Sequence, residues 1–105
     1  MSKILNFDDS IDIFLFYINN KTKTKIIKEL LYGTKSFNEL CKSTRCLPWT
    51  LKLYLKQLTK NKIITTTVYP EIPIRTEYTL TQLGESMKPI ITAMAEWGFD
   101  HKNNK

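Results

Sequence analysis

The chain has 105 residues, 42% of them hydrophobic and 25% charged, with a formal net charge of +6. That length suits a single domain spanning 1–105, the composition is that of a globular protein, and no apolar run approaches the roughly 20 residues that cross a bilayer. The opening "MSKILNFDDSIDIFLF" sets acids ahead of its apolar stretch and has no small-residue cleavage site, so it does not read as a secretory signal; a cytoplasmic location with no membrane partner is expected.

The first predicted helix covers 8–19, with acids in its first turn where the helix dipole favours them. Ile11, Ile13, Phe14, Leu15, Phe16, Tyr17 and Ile18 make it apolar almost all round. Such a helix must be covered on several sides, either as the centre of one small core or by a second subunit. "KTKTKIIKELLYG" predicts a second helix whose stripe is Ile26, Ile27, Leu30 and Leu31, with Gly33 as its C-terminal cap. "SFNEL" has the form of a capping box: Ser36 accepts from the backbone at Glu39, whose carboxylate reaches back. It opens a short third helix with Phe37, Leu40 and Cys41 inward, and "STRCLP" reads as the turn that ends it.

The fourth helix runs through "PWTLKLYLKQLTKNK", with Pro48 in its first turn, and closes a helical core at 21–61. Leu51, Leu55 and Leu58 recur at i, i+4 and i+7 and define its buried face. Opposite them stand Trp49, Leu53, Lys56 and Lys60, with Thr50, Lys52 and Gln57 at the margins. Over 63–81, "KIITTTVY" and "RTEYTLT" have the β-branched and aromatic composition of two strands. Thr81 then caps a last helix at 82–101, along which Met87, Ile90, Ile91, Met94 and Trp97 line one side. Pro89 either starts the regular part of this helix or kinks it.

Charge is unevenly spread. From Lys21 to Lys62 eleven Lys and Arg face Glu29 and Glu39, a balance of +9, while the remainder has five basic and eight acidic residues, a balance of −3. A basic block of this kind suits a polyanion partner or serves solubility. Cys41, Cys46 and His101 are too few for a four-ligand zinc site. His101 falls in a polar tail, "DHKNNK", expected to fray, which argues against a nucleophile–histidine pair. The glycines at 33, 84 and 98 are isolated, so there is no phosphate-binding loop. Neither enzymatic activity nor a cofactor is expected.

Four helices, a hairpin and a helix, in that order and with short connections, predict a mainly α winged helix-turn-helix in which the hairpin is the wing. Its tip is "YPEIPIR", where Pro70 and Pro73 cannot donate to a ladder and stiffen the loop. Arg75 stands where the loop re-enters the sheet. A guanidinium there suits phosphate contact or a narrow minor groove; the alternative is an Arg75 paired with Glu71 or Glu77 across the hairpin.

The wing segment "VYPEIPIRTEYTLTQLG" is similar to Y-P-x-V-P-P-R-V-E-Y-x-L-T-x-x-G of the HxlR-type winged-helix transcriptional regulators, a bacterial and archaeal family. "KELLYG", "FNEL" and "MKPIITAMAEW" match its R-E-L-L-x-G, F-x-E-L and L-x-P-V-L-x-A-L-x-x-W, so the resemblance runs from Ile11 to Trp97. It implies a homodimer held by the first and last helices, here through Ile11, Phe14, Leu15, Ile18, Ile90, Ile91, Met94 and Trp97. It further implies operator binding through the fourth helix and the wing, with Arg75 as the wing arginine, Pro70 and Pro73 as its loop prolines, and Tyr78 as the aromatic of E-Y. The chain departs from the family at Thr22, where tryptophan is common, at Leu47-Pro48, where a Ser-type cap is usual, and at Leu53 and Tyr54, where Gln and Arg are frequent.

The leading expectation is a homodimeric regulator of double-stranded DNA. Thr50, Lys52, Lys56, Gln57 and Lys60 would serve phosphate and base-edge contacts, Trp49 and Leu53 apolar ones, and Arg75 the flanking groove. A winged-helix protein–protein adaptor, docking through exposed Trp49 and Leu53, is the alternative. Some relatives sense oxidants through a cysteine near the N-terminus. None stands there in this chain, and an oxidant-sensing role would fall to a Cys41–Cys46 disulfide that strains the turn, against two reduced thiols that fill small gaps. No residue pattern identifies an effector.

Overall fold

The computed structural model describes residues 6–103; residues 1–5 and 104–105 lie outside them. The chain folds as α1 (Phe7–Tyr17), α2 (Lys21–Leu30), β1 (Lys35–Ser36), α3 (Phe37–Thr44), α4 (Pro48–Lys60), β2 (Ile64–Tyr69), β3 (Arg75–Leu80), α5 (Gln82–Glu85) and α6 (Lys88–His101).

Short polar side chains set the helix starts. The Asn6 carboxamide accepts from the Asp9 amide at 3.2 Å, and that of Asn20 accepts from the Lys23 amide at 2.8 Å. The predicted capping box is present in both directions: Ser36 Oγ accepts from the Glu39 amide at 3.2 Å and Glu39 Oε1 from the Ser36 amide at 2.9 Å. Pro48 opens α4, where Leu47 offers no side-chain cap. Pro89 lies in the first turn of α6, which resolves the choice between start and kink in favour of a start; the predicted last helix is two helices, α5 and α6.

Three helices differ in their ends from the sequence reading, the first being α1, which stops at Tyr17 where 19 was expected. α2 ends at Leu30, and Gly33 follows with φ 129°, in the region that favours glycine. Ser43 and Thr44, read as turn, belong to α3, because the buried Thr44 hydroxyl donates to the Leu40 carbonyl at 2.6 Å and the helix ends only at left-handed Arg45, φ 55°. The sheet also has a strand the sequence did not announce. β1 pairs antiparallel with β3, giving the order β1-β3-β2, with Lys35 and Thr66 flanking Tyr78. Two residues are too short for an alternation signal.

The core gathers Ile26, Ile27 and Leu30 of α2, Leu40 of α3, Leu51, Leu55 and Leu58 of α4, Ile63 and Ile64 at the head of β2, and Tyr78 and Leu80 of β3. All three leucines of the predicted α4 face are buried, each burial stabilising the fold by about 1.5–3 kcal/mol. α1 and α6 contribute little to this packing. α1 has no buried residue and α6 only Ile91. The radius of gyration, 15.7 Å, exceeds the about 13 Å of a compact chain of this length.

Two expected dimer-face residues therefore need correction. Ile18, at the end of α1, and Ile91 are buried inside the subunit's own core, because the all-apolar runs around them hide which side the rest of the chain covers. His101, read as part of the polar tail, is the last residue of α6; its Nδ1 is 2.9 Å from the Trp97 carbonyl and its ring stacks on Trp97 at 4.2 Å.

Candidate nucleic-acid interface

With Leu51, Leu55 and Leu58 turned inward, α4 presents a defined outer face. Trp49 is 74% and Leu53 44% exposed, Lys52, Lys56 and Lys60 are exposed, and Thr50 and Gln57 are half-buried at its edges. The candidate residues of α4 thus share one side of one helix. Tyr54, next to Leu53, packs against the core instead, with the Lys23 ammonium 6.0 Å from its ring. Lys23 had counted only as part of the basic block. It is buried, and burial lowers its pKa.

The wing projects beside this face. Lys52 lines a cleft of about 430 Å³ together with Ser36, Phe37, Ile72, Ile74 and Arg75, so α4, the α3 N-terminus and the wing tip meet there. β2 and β3 pair up to Tyr69↔Arg75, leaving residues 70–74 as the tip. Ile72 is fully exposed and Ile74 largely so.

Arg75 takes the alternative posed by the sequence. Its Nη2 lies 3.0 Å and its Nε 3.3 Å from Glu71 Oε2, its Nη1 binds Glu77 Oε2, and its guanidinium carbon sits 3.9 Å from the Tyr69 ring centroid. The hydrogen bond to Glu71 is the main cause that raises its pKa. Charge composition restricts the partners: Glu71, Arg75 and Glu77 are the only ionic side chains from Ile64 to Leu80.

Cys41 and Cys46 are free and half-buried. Burial, and secondarily the nearness of Cys46, pushes the Cys41 thiol up, away from the reactive thiolate. Among the described residues no group of His, Cys, Asp and Glu could hold a metal ion, and no helix is long and apolar enough to cross a membrane.

Away from the interface, α1 leaves Phe7, Ile11, Ile13, Leu15 and Phe16 exposed, while Phe14 and Tyr17 lean on the core. α6 leaves Ile90, Met94, Trp97 and Phe99 exposed. Of the residues expected at a dimer face, Ile11, Leu15, Ile90, Met94 and Trp97 are open on the surface and Phe14 is half-buried.

The sequence profile of HxlR-like helix-turn-helix proteins matches residues 17–105. The chain is 38% identical over 84 residues to the uncharacterized HTH-type transcriptional regulator sll1512 of Synechocystis sp., covering 79% of this chain and 62% of that protein. It is 32% identical over 94 residues to the uncharacterized HTH-type transcriptional regulator YdeP of Bacillus subtilis, covering 89% of this chain and 73% of that one. Among solved structures, the redox regulator HypR in its reduced form superposes with a TM-score of 0.83 at 29% identity, covering 90% of this chain and 94% of HypR.

Proposed function

The chain belongs to the HxlR-like helix-turn-helix family of transcriptional regulators, and we propose that it binds operator DNA in the cytoplasm as a homodimer, with α4 in the major groove and the wing on flanking DNA. The observation that carries this reading is the outer face of α4, where Lys52, Lys56 and Lys60 stand free and Lys52 shares a cleft with the wing. An α-helix fits the major groove, and lysines on its exposed side act as point charges toward phosphates. Trp49 and Leu53 offer apolar contact with thymine methyls or sugars. The unpacked apolar sides of α1 and α6 support self-association, and a two-fold dimer reads half-sites about one helical turn apart.

The test is fluorescence anisotropy of the full chain on a duplex selected from a random pool, titrated at several salt concentrations. Affinity should fall with salt, and Lys56→Ala should reduce the slope by about one. Salt-independent binding would count against the reading. A second reading has one observation in its favour. Exposed Trp49 and Leu53 fit a protein partner on the same face; a W49A/L53A variant that loses no DNA affinity, with K56A equally silent, would favour that adaptor role.

A further inference from the structure

As folded, the wing is not a basic element. Glu71, Arg75 and Glu77 are its only ionic side chains, a balance of −1, and both carboxylates hold the one guanidinium. Glu77 lies on β3, registered against Thr67 of β2. Glu71 sits in the tip between Pro70 and Ile72, its side chain 53% exposed against 27% for Glu77. The Glu71 contact is thus the more accessible to solvent and the easier to exchange, since exposed ion pairs are weak. Arg75 also shares the cleft with Lys52, so a duplex on α4 lies within reach of the released guanidinium.

Building on the DNA-binding reading above, we propose that Glu71 is a gating residue that keeps Arg75 from DNA until a narrow, A·T-rich minor groove draws it out. On ordinary duplex, trading a carboxylate for a phosphate yields little and leaves Glu71 unpaired in the field of the DNA. A narrow minor groove has a deeper negative potential that attracts arginine in particular, and the exchange becomes favourable. Glu71 thus withholds one phosphate contact on ordinary duplex, and its full cost is met on the narrow groove, where the pair must break. Tyr69 supports the guanidinium from below in the closed arrangement, with its ring at 3.9 Å.

The experiment compares wild type with Glu71→Gln on two 30-bp duplexes, one of random sequence and one selected from a random pool, across a salt series. The variant should bind the random duplex about three- to tenfold tighter, with a salt slope steeper by about 0.9, one added phosphate contact. The selected duplex should gain at least as much, with no steeper slope, because its arginine contact is already made and only the cost of breaking the Glu71 pair is removed. In an Arg75→Met background the same substitution should bring only a small gain from the lost negative charge. Unchanged or weaker binding of E71Q to random duplex, or the full gain persisting in the R75M background, overturns the role of Glu71 while the DNA-binding reading stands. Failure of the wild type on both duplexes overturns that reading, and this inference with it. Circular dichroism of each variant separates these outcomes from loss of fold.

Discussion

Ile90 and Ile91 are neighbours in α6 and belong to different environments: Ile91 is 5% exposed and closes the core beside Met87, whereas Ile90 is 41% exposed and continues along the helix into Met94 and Trp97. One residue is 100° of rotation, enough to carry a side chain from the subunit's core to its outer surface. Ile91→Ala is expected to lower unfolding free energy by about 2–4 kcal/mol, measured by urea denaturation at fixed protein concentration. Met94→Glu should leave the fold intact and split the proposed dimer, with the mass by light scattering falling from two chains to one. A Met94→Glu chain that remains two-chain would remove α6 from the dimer interface.

This pair also marks how far the sequence could be read. Leu51, Leu55 and Leu58 alternate with lysines, so polarity on one side of α4 names the buried side, and the wing was legible from the prolines that interrupt two β-rich runs. In α6 the stripe from Met87 to Trp97 contains two adjacent faces, one against α2 and one outward, and apolar spacing alone does not separate them. Ile18 was misplaced for the same reason. β1 was illegible because two residues carry no period, and it exists through pairing with β3, some forty residues away. At the candidate site, the α4 face was readable from a helical wheel. The closed state of Arg75 was readable only as one of two options, because a hairpin fixes which charges can meet and not which partner wins.

The Ser36–Glu39 box ties the start of α3 to β1, since Ser36 also pairs with Glu77 of β3. Ser36→Ala should destabilise by about 1 kcal/mol. The backbone hydrogen bond from Ser36 holds the Glu39 carboxylate below its ordinary value, helped by the Ser36 hydroxyl. A carboxylate with a lowered native pKa stabilises fully above its unfolded value, about 4.3, and loses that contribution as pH falls through the lower native value. Glu39→Gln should therefore be less stable than wild type at pH 7 and indistinguishable from it once the native carboxyl is protonated. A gap that persists undiminished in acid would show that the carboxylate's charge is not the cause.

Cys41 should behave as a packing residue. Its burial favours the thiol, so iodoacetamide should modify it slowly at pH 7.4 and faster only well above the ordinary thiol range of about 8.5. After peroxide at a few equivalents, peptide mass spectrometry should find no Cys41–Cys46 disulfide, and affinity for duplex should be unchanged. Recovery of that disulfide with a parallel loss of DNA binding would assign an oxidant-sensing role to the turn before α4.

Gly84 gives the sharpest stability prediction, because two general rules oppose each other there. Alanine in a helix is favoured over glycine by about 1 kcal/mol. Gly84, however, is buried in α5 against the Ile63 carbonyl, and an added Cβ would overlap that oxygen and come 2.8 Å from Leu80 Cδ2. The backbone cannot retreat easily. The Gly84 amide donates to Thr81 Oγ1 at 3.2 Å, the Thr81 hydroxyl reaches the Lys62 carbonyl at 2.6 Å, and the Thr81 amide donates to the Ile63 carbonyl at 2.9 Å. α5 is thus clamped onto the connection between α4 and β2, the place where the helical core and the wing join. Overpacking should win, and Gly84→Ala should lose about 1–3 kcal/mol of stability. Urea midpoints decide it. A variant as stable as wild type would mean that α5 shifts freely on Ile63 and that the clamp is not what fixes the wing to α4.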